Sequence, residues 1–236
     1  MSSVLVYMTL YGVGEDYEPL SYAKHTVRIN KAYADKHGYD FKVFSYPEEG
    51  MSDRHPVWTR AFYARQQCKD YDYLLYIDGD AFVHDDSVSV EDLANKYFFN
   101  EDTVVLAARD QKLRTFIFHY DRPNAGVFLI KCGNYTQSLL DEWWRVPDDS
   151  YYSGKLIFDA GRYLDNSDSK TQHPYEQLAL WFLRDRYPKH FRFTEDYREL
   201  NGLDGTFIRH LMQVSDADRV KILTAFSNNI NEDQIK

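Results

Sequence analysis

Two aspartates separated by one glycine, Asp78 and Asp80, directly follow a run of apolar and aromatic residues, Tyr73–Ile77. Carboxylates at the end of such a run are costly in the folded protein unless a partner compensates their charge. Gly79 lets the chain turn sharply and lets a ligand approach the backbone, so that both carboxylates can face one ion. The pattern therefore predicts a site for a hard divalent cation at the end of a buried strand.

The segments on either side of this pair alternate between strands and helices. We predict strands over residues 4–10, 41–44, 73–77, 103–108 and 126–131, and helices over residues 22–36, 58–68, 90–98, 135–144 and 175–186. Strand, helix, strand is the unit of a parallel α/β sheet, and ligands of such sheets bind beyond the carboxyl ends of the strands. Residues 148–171 are predicted to form a long loop or flap, and the chain from residue 191 onward to be irregular.

The composition excludes some classes of partner. With 28 Lys and Arg against 37 Asp and Glu, the net charge is −9, which argues against a general nucleic-acid surface. No apolar run reaches the length of a membrane-spanning helix, and no basic leader precedes the first strand, so we expect a soluble, cytoplasmic protein. Cys68 and Cys132 are too few for a disulfide framework, although they leave a single bridge open.

Other charged residues lie close to the two aspartates. A second acidic pair, Asp85 and Asp86, follows them, and we expect it to cap the helix that begins near Val90. Arg60 and Arg65 precede them on one predicted helix, five residues apart, and therefore do not share a helix face well. We expect only one of these arginines to reach the site.

Five segments in order resemble those of glycosyltransferase family 34, which contains galactosyl, mannosyl and xylosyl transferases. They are YADKHGY at 33–39, YIDGDA at 76–81 with PVWTR before it at 56–60, NAGVFLI at 124–130, EQLAL at 176–180 and FIRH at 207–210. Ala34 stands where the family has Cys, and residues 203–205 match its late Gly-Asp only loosely. The resemblance, spanning residues 4–210, implies a GT-A fold, a Rossmann-like and mainly parallel sheet flanked by helices, here as a single domain over residues 1–236.

The resemblance also implies the chemistry of the site. A divalent ion bound by Asp78, Asp80 and His210 would grip the diphosphate of a nucleotide-sugar donor, expected to be a UDP-sugar, whose sugar passes to a glycan acceptor with retention. An imidazole beside carboxylates favours Mn²⁺ over Mg²⁺, which prefers an all-oxygen shell. The alternative for His210 is a structural surface histidine. Arg60 matches a basic position of the family and could pair with the carboxylates or the donor phosphate.

Further residues are candidates for donor binding. Thr9, Leu10 and Tyr11 follow the first strand, where a Rossmann-like domain presents its nucleotide edge, with Tyr11 available to stack on uracil or serving only as a structural residue. Asn124 and Gly126 are candidates for contacts with the donor sugar. Arg109 and Asp110 are candidates for hydrogen bonds to its hydroxyls.

The candidates for catalysis lie at a predicted helix start. Gln177 and Glu176 are placed to stabilise oxocarbenium-like charge beneath the anomeric carbon, although Glu176 could instead be a partner of the helix dipole. Whether the reaction uses a covalent intermediate or a same-face ion pair is left open. Arg219 and Lys221 belong either to a lid over the diphosphate, formed by the last ~25 residues, or to a charged terminal helix.

Two other functions fit parts of the pattern. Phosphohydrolases of the haloacid-dehalogenase type also carry Asp-x-Asp after a hydrophobic strand, but there it ends the first strand, and Phe82 stands where that class has Thr or Val. A non-catalytic module that binds nucleotides or sugars is the second alternative, because an intact metal site binds as readily as it catalyses.

Overall fold

Eight strands and six helices make up the described part of the chain, residues 2–10, 20–46, 51, 54–110, 122–146 and 176–227 of a computed structural model. The strands are β1 (Val4–Thr9), β2 (Asp40–Phe44), β3 (Tyr73–Ile77), β4 (Ala81–Val83), β5 (Val105–Arg109), β6 (Pro123–Lys131), β7 (Phe191–Phe193) and β8 (Ile208–His210). The helices are α1 (Ala23–His37), α2 (Thr59–Gln67), α3 (Val90–Tyr97), α4 (Asn134–Arg145), α5 (Glu176–Arg186) and α6 (Asp216–Ser227).

Six of the strands form one mixed sheet in the order β2-β1-β3-β6-β5-β7. Strand β1 runs parallel to β2 and β3, and β5 runs parallel to β7. Strand β6 lies antiparallel to both of its neighbours, β3 and β5. Parallel pairs are thus in the majority, which confirms the predicted Rossmann-like sheet flanked by helices. The antiparallel β6 was not foreseen.

The sheet is buried on both faces because successive residues of a strand point to opposite sides. In β1, Leu5 and Tyr7 pack on the face covered by α2, α4 and α5, together with Trp58 and Trp143. Val4, Val6 and Met8 pack on the other face, which α1 and α3 cover. This two-sided burial explains why β1 reads as a continuous apolar run rather than an alternating one.

The first helix ends where the sequence predicts it. Gly38 adopts φ 72°, a left-handed conformation that glycine accepts without steric cost, and its N–H donates to the carbonyl of Asp35. The chain then enters β2 beside β1.

The expected cap of the helix near Val90 is wrong. Ser89 caps α3, because its hydroxyl accepts from the N–H of Asp92 and the Asp92 carboxylate accepts from the N–H of Ser89. Asp85 accepts instead from Ser87, and Asp86 pairs with Lys36. A hydroxyl one residue before the helix outcompetes carboxylates that lie four and five residues before it.

The expectation of an irregular chain from residue 191 onward is also wrong. Strand β7 extends the edge of the main sheet, β8 pairs with β4 in a second, two-stranded sheet, and α6 follows. Three-residue strands are too short to leave a periodic pattern in the sequence. The loop or flap predicted over residues 148–171 lies outside the described residues.

Two simpler expectations concern the thiols and the membrane. Cys68 and Cys132 are both free thiols. Among the helices of the described residues, none has both the length and the apolar character needed to cross a membrane.

Candidate functional site

The Asp78-Gly79-Asp80 turn lies at the carboxyl end of β3, in the middle of the sheet. The Asp78 N–H donates to the carbonyl of Gly126 (2.8 Å), and the Ala81 N–H donates back to the carbonyl of Asp78 (2.9 Å). A Cβ on residue 79 would come 2.7 Å from Cδ2 of Leu10, so the tight packing favours glycine there. The backbone therefore holds both carboxylates at the end of the strand.

His210 reaches these carboxylates through the small sheet, in which Ala81 of β4 pairs with His210 of β8. Its Nε2 lies 3.0 Å from Oδ1 of Asp80 and 3.9 Å from Oδ2 of Asp78. Its Nδ1 lies 3.1 Å from Oδ1 of Asn201, an oxygen that also accepts from the N–H of Gly202. Since that oxygen only accepts, Nδ1 carries a proton, and Nε2 is directed at the two aspartates. The imidazole is 3% exposed, unlike a surface histidine.

The three side chains form a candidate cation site. One ligand atom from each of Asp78, Asp80 and His210 lies within 4.8 Å of the other two. Two carboxylates and one imidazole make a donor set suited to a divalent cation of the Mn²⁺ type.

Arg60 of α2 forms an ion pair with Asp78 and so neutralises its charge. Its Nη2 lies 3.0 Å from Oδ1 of Asp78, its Nη1 donates to the carbonyl of Ala125 (2.7 Å), and its Nε lies 3.4 Å from Oε1 of Glu176. The guanidinium is nearly buried and lies over the ring of Tyr76, whose hydroxyl donates to Asp78. Arg60 is the arginine of α2 that reaches the site, whereas Arg65 pairs with Asp141 at the surface.

Arg219 of α6 plays the corresponding part at Asp80. Its Nη2 donates to Oδ2 of Asp80 (2.6 Å) and to the carbonyl of Leu211 (3.1 Å). Although burial favours the neutral acid, His210 and Arg219 together hold the pKa of Asp80 below its usual value. Lys221 on the same helix has Asp218 as its one ion-pair partner among the described residues and is 77% exposed. Of the two basic residues considered for a lid, only Arg219 therefore belongs to the site.

Hydrogen bonds fix a second wall of the site, formed by Asp110, Asn124 and Gln177. Gln177 donates from Nε2 to Oδ2 of Asp110 (2.8 Å), and its Oε1 accepts from the N–H of Ala125 (2.9 Å). Oδ1 of Asn124 accepts from the N–H of Gly126 (2.8 Å). The start of α5 is thereby tied to the first residues of β6 and to the end of β5.

Glu176 lies behind this wall rather than on it. It is 4% exposed, and among the described residues its Oε2 has no hydrogen-bond partner. Burial raises the pKa of its carboxyl, and the charge of Arg60 only partly opposes this effect. Glu176 therefore faces Arg60 and does not line the open cleft.

These residues line an open, polar cleft of about 320 Å³. Most lining residues were predicted from the sequence or weighed there; the lining comprises Arg60, Asp78, Asp80, Asp110, Asn124, Gly126, Gln177, His210, Met212, Gln213 and Arg219. Sequence reasoning missed Met212 and Gln213, which follow His210 by two and three residues and form no pattern that could have revealed them.

Some predicted site residues do not line the cleft. Thr9 bonds to the hydroxyl of Tyr76 beneath it (3.0 Å), and Leu10 packs against Gly79. Arg109 is exposed, its Nη1 donating to the carbonyl of Thr194 (3.3 Å) on the far side of β5. Tyr11 lies outside the described residues.

Several solved structures with the same fold are glycosyltransferases. The chain is similar to a glycosyltransferase involved in the glycosylation of the major capsid of PBCV-1, with a TM-score of 0.65 and 15% identity over 94% of this chain and 99% of that one. It is also similar to the WbbM bifunctional glycosyltransferase, with a TM-score of 0.51 and 14% identity over 96% of this chain and 44% of that one. The likeness confirms the GT-A fold. No curated protein sequence gives a significant match.

Sequence comparison agrees with the fold. The model of one glycosyltransferase family, the galactosyl transferase GMA12/MNN10 family, matches residues 2–188, most of the chain. The phosphohydrolase alternative is thereby excluded. The five motif segments, the fold and the family match lead to one assignment: the chain belongs to the galactosyl transferase GMA12/MNN10 family and is a nucleotide-sugar glycosyltransferase.

Proposed function

We propose that this enzyme transfers a sugar from a UDP-sugar to a hydroxyl of a glycan or glycoconjugate, with retention, and that it requires a divalent cation. The observation that carries the proposal is the convergence of Asp78, Asp80 and His210 within 4.8 Å of one another at the end of β3. A polar cleft of about 320 Å³ opens beside them.

The residues at this point fit a metal ion. The two carboxylates supply hard oxygen ligands, and Nε2 of His210 supplies one nitrogen, which favours Mn²⁺ over Mg²⁺. Asn201 holds Nδ1 of His210, as outer partners of metal-binding histidines commonly do. When bound, the ion would neutralise the negative charge that develops on the departing nucleoside diphosphate.

Arg219 and Arg60 support binding of the diphosphate. Both guanidiniums lie on the cleft wall, and a planar guanidinium can donate two parallel hydrogen bonds to a phosphate. Arg219 is proposed for the direct contact because its side chain is the more exposed of the two, 16% against 10%. Both guanidiniums already have protein partners: Asp78, Glu176 and the carbonyl of Ala125 for Arg60, and Asp80, Asp216 and the carbonyl of Leu211 for Arg219. In this proposal Arg60 holds Asp78 in place.

The lining residues at the end of β5 and the starts of β6 and α5 would bind the donor sugar. Asp110 and Asn124 carry hydrogen-bonding groups suited to sugar hydroxyls, and Gln177 is held between Asp110 and Ala125. A fixed amide dipole under the anomeric carbon would stabilise oxocarbenium-like charge, so Gln177 is the proposed catalytic residue. Glu176 acts through Arg60 and is proposed to be a positioning residue.

Three further parts of the proposal concern the base-binding edge, the anomeric configuration of the product and the domain organisation. Residues 9–11, which begin with the last residue of β1, would form the edge that receives the base, as in other Rossmann-like sheets. Retention is supported by the family resemblance and is checked by the anomeric configuration of the product in proton NMR. We further propose that residues 1–236 act as one domain, since Asp80 and Arg219, 139 residues apart, share one ion pair.

The function is tested with a panel of nucleotide sugars, with and without Mn²⁺, by following release of the nucleoside diphosphate in the presence of candidate acceptors. We expect release from one UDP-sugar that depends on Mn²⁺ and falls at least about a hundredfold in Asp80→Asn. Asp85→Asn, an exposed carboxylate outside the cleft, is the matched control and should retain activity. Binding of UDP-sugars with Mn²⁺ but no turnover with any acceptor or water would instead support the binding module.

A further inference from the structure

Gln213 has an unusual backbone conformation for its residue type. Its φ is 63°, and it is the only non-glycine residue with a positive φ in the described ranges. A side chain in this left-handed region clashes with the backbone, and glycine or asparagine normally takes such a position. The N–H of Val214 donates to the carbonyl of Leu211 (3.3 Å), which places Gln213 third in a four-residue turn.

Contacts within the fold do not account for glutamine at this position. The side chain is exposed, and its carboxamide forms no hydrogen bond to any described residue. The turn itself would form more easily with glycine. The residue nevertheless lines the cleft, on the wall that also carries His210 and Arg219. Strain of this kind at a binding cleft points to a role of the side chain in function.

The position of Gln213 indicates which part of the donor it meets. It lies three residues after His210 and six residues before Arg219, on the side of the proposed ion and diphosphate. The groups suited to the sugar, Asp110, Asn124 and Gln177, come from other elements, the end of β5 and the starts of β6 and α5. A carboxamide offers two N–H donors, which suit a phosphate oxygen.

We propose that Gln213 binds the donor by donating a hydrogen bond from its carboxamide to the diphosphate. This assignment rests on the proposed function, because it needs a nucleoside diphosphate in the cleft. Gln213 would then be a donor-binding residue whose strained backbone lowers the stability of the turn. The proposal therefore predicts opposite effects of one substitution on stability and on binding.

The test compares Gln213→Gly with the wild type in two measurements. Thermal unfolding without ligand should show a midpoint about 2 °C higher for Gln213→Gly, because glycine accepts the left-handed backbone. Titration calorimetry with Mn²⁺ and pyrophosphate, and separately with Mn²⁺ and UDP, should show affinity about tenfold weaker. Pyrophosphate isolates the diphosphate from any contribution of the base.

A second variant, Gln213→Glu, removes the donors while keeping the size of the side chain. Its midpoint should stay close to that of the wild type, and its affinity for Mn²⁺ and pyrophosphate should fall by more than about tenfold, because a carboxylate cannot donate and repels the phosphates. Gln66→Glu, an exposed position on α2 outside the cleft, introduces the same charge and should bind as the wild type does.

The outcomes separate this proposal from the function on which it rests. If the wild type binds Mn²⁺ and UDP while both Gln213 variants bind equally well, the role of Gln213 is overturned and the proposed function stands. A lower midpoint for Gln213→Gly would remove the argument from strain and overturn the assignment. Failure of the wild type to bind any nucleoside diphosphate with Mn²⁺ would overturn the proposed function, and this assignment with it.

Discussion

The imidazole of His210 lies against Gly126 so closely that a Cβ on residue 126 would come within 2.3 Å of its Cε1. The glycine cannot easily move away. Its N–H donates to Oδ1 of Asn124 (2.8 Å), and its carbonyl accepts from the N–H of Asp78 (2.8 Å). Gly126 is therefore required by the histidine above it, and through the histidine by the proposed metal site.

Gly126→Ala should displace His210 from the two aspartates. We expect affinity for Mn²⁺ to fall at least about tenfold and the free energy of unfolding to fall by about 2 kcal/mol, a typical cost of overpacking. Titration calorimetry with Mn²⁺ and urea denaturation measure the two effects.

A double-mutant cycle with His210→Ala supplies the control. Once the imidazole is absent, Oδ1 of Asn124 still lies 3.0 Å from the added methyl group, but the closest contact is gone. Gly126→Ala should then cost about 1 kcal/mol less than it does in the wild type. An equal cost in both backgrounds would show that the close contact with His210 is not the reason that residue 126 is glycine.

Arg219 should have opposite effects on the metal and on the nucleotide. In the wild type, the guanidinium of Arg219 competes with the ion for Oδ2 of Asp80. Arg219→Met removes this competitor, so affinity for Mn²⁺ alone should rise several-fold. Affinity for Mn²⁺ together with UDP should fall about tenfold, because a donor to the diphosphate is lost. Lys221→Met, an exposed position on the same helix, should change neither affinity by more than about twofold. Equal behaviour of the two variants in calorimetry would exclude a specific role for Arg219.

The buried carboxyl of Glu176 should make stability depend on pH. Burial raises its pKa above the ordinary 4.5, so the folded protein holds this proton more tightly than the unfolded chain does. The folded state then loses stability as pH rises from about 4.5 through the raised pKa, and the loss is complete above it. Glu176→Gln removes this titration while keeping the shape of the side chain.

The measurement is the free energy of unfolding of both proteins in urea at several pH values from 4.5 to 8, a range set by the ordinary pKa. The wild type minus Glu176→Gln difference should fall with rising pH and then level off. The charge of Arg60 acts on this slope through the pKa of Glu176, whereas the other effects of replacing a neutral carboxyl by an amide shift the difference by a constant. A difference that rises with pH would contradict the assignment.

The sequence allowed the central part of the fold to be predicted because its signals are local. The apolar runs of β1 and β3, the helical spacing of α1 and the stop at Gly38 each lie within a few neighbouring residues. The same holds for Asp78 and Asp80, whose position at the end of β3 follows from the run before them. Two of the three candidate metal ligands thus needed no knowledge of tertiary structure.

The third ligand, His210, and the arginine beside the site, Arg219, depend on contacts between distant segments. His210 meets Asp80 only because β8, a strand of three residues, pairs with β4, and Arg219 reaches Asp80 across 139 residues of chain. His210 was found through family resemblance, not through periodicity. The strained backbone of Gln213 and the burial of Glu176 behind Arg60 leave no trace in spacing or composition.

The misassigned cap of α3 leads to a prediction about stability. Acidic residues near a helix start were expected to cap it, yet Ser89 and Asp92 form the reciprocal bonds, while Ser87 bonds only to Asp85. Ser89→Ala should lower the free energy of unfolding by about 1 kcal/mol and the thermal midpoint by about 2 to 4 °C. Ser87→Ala, two residues earlier and exposed, is the matched control and should change the midpoint by less than about 1 °C. Equal losses in the two variants by thermal denaturation would mean that the cap contributes no more than an ordinary surface hydrogen bond.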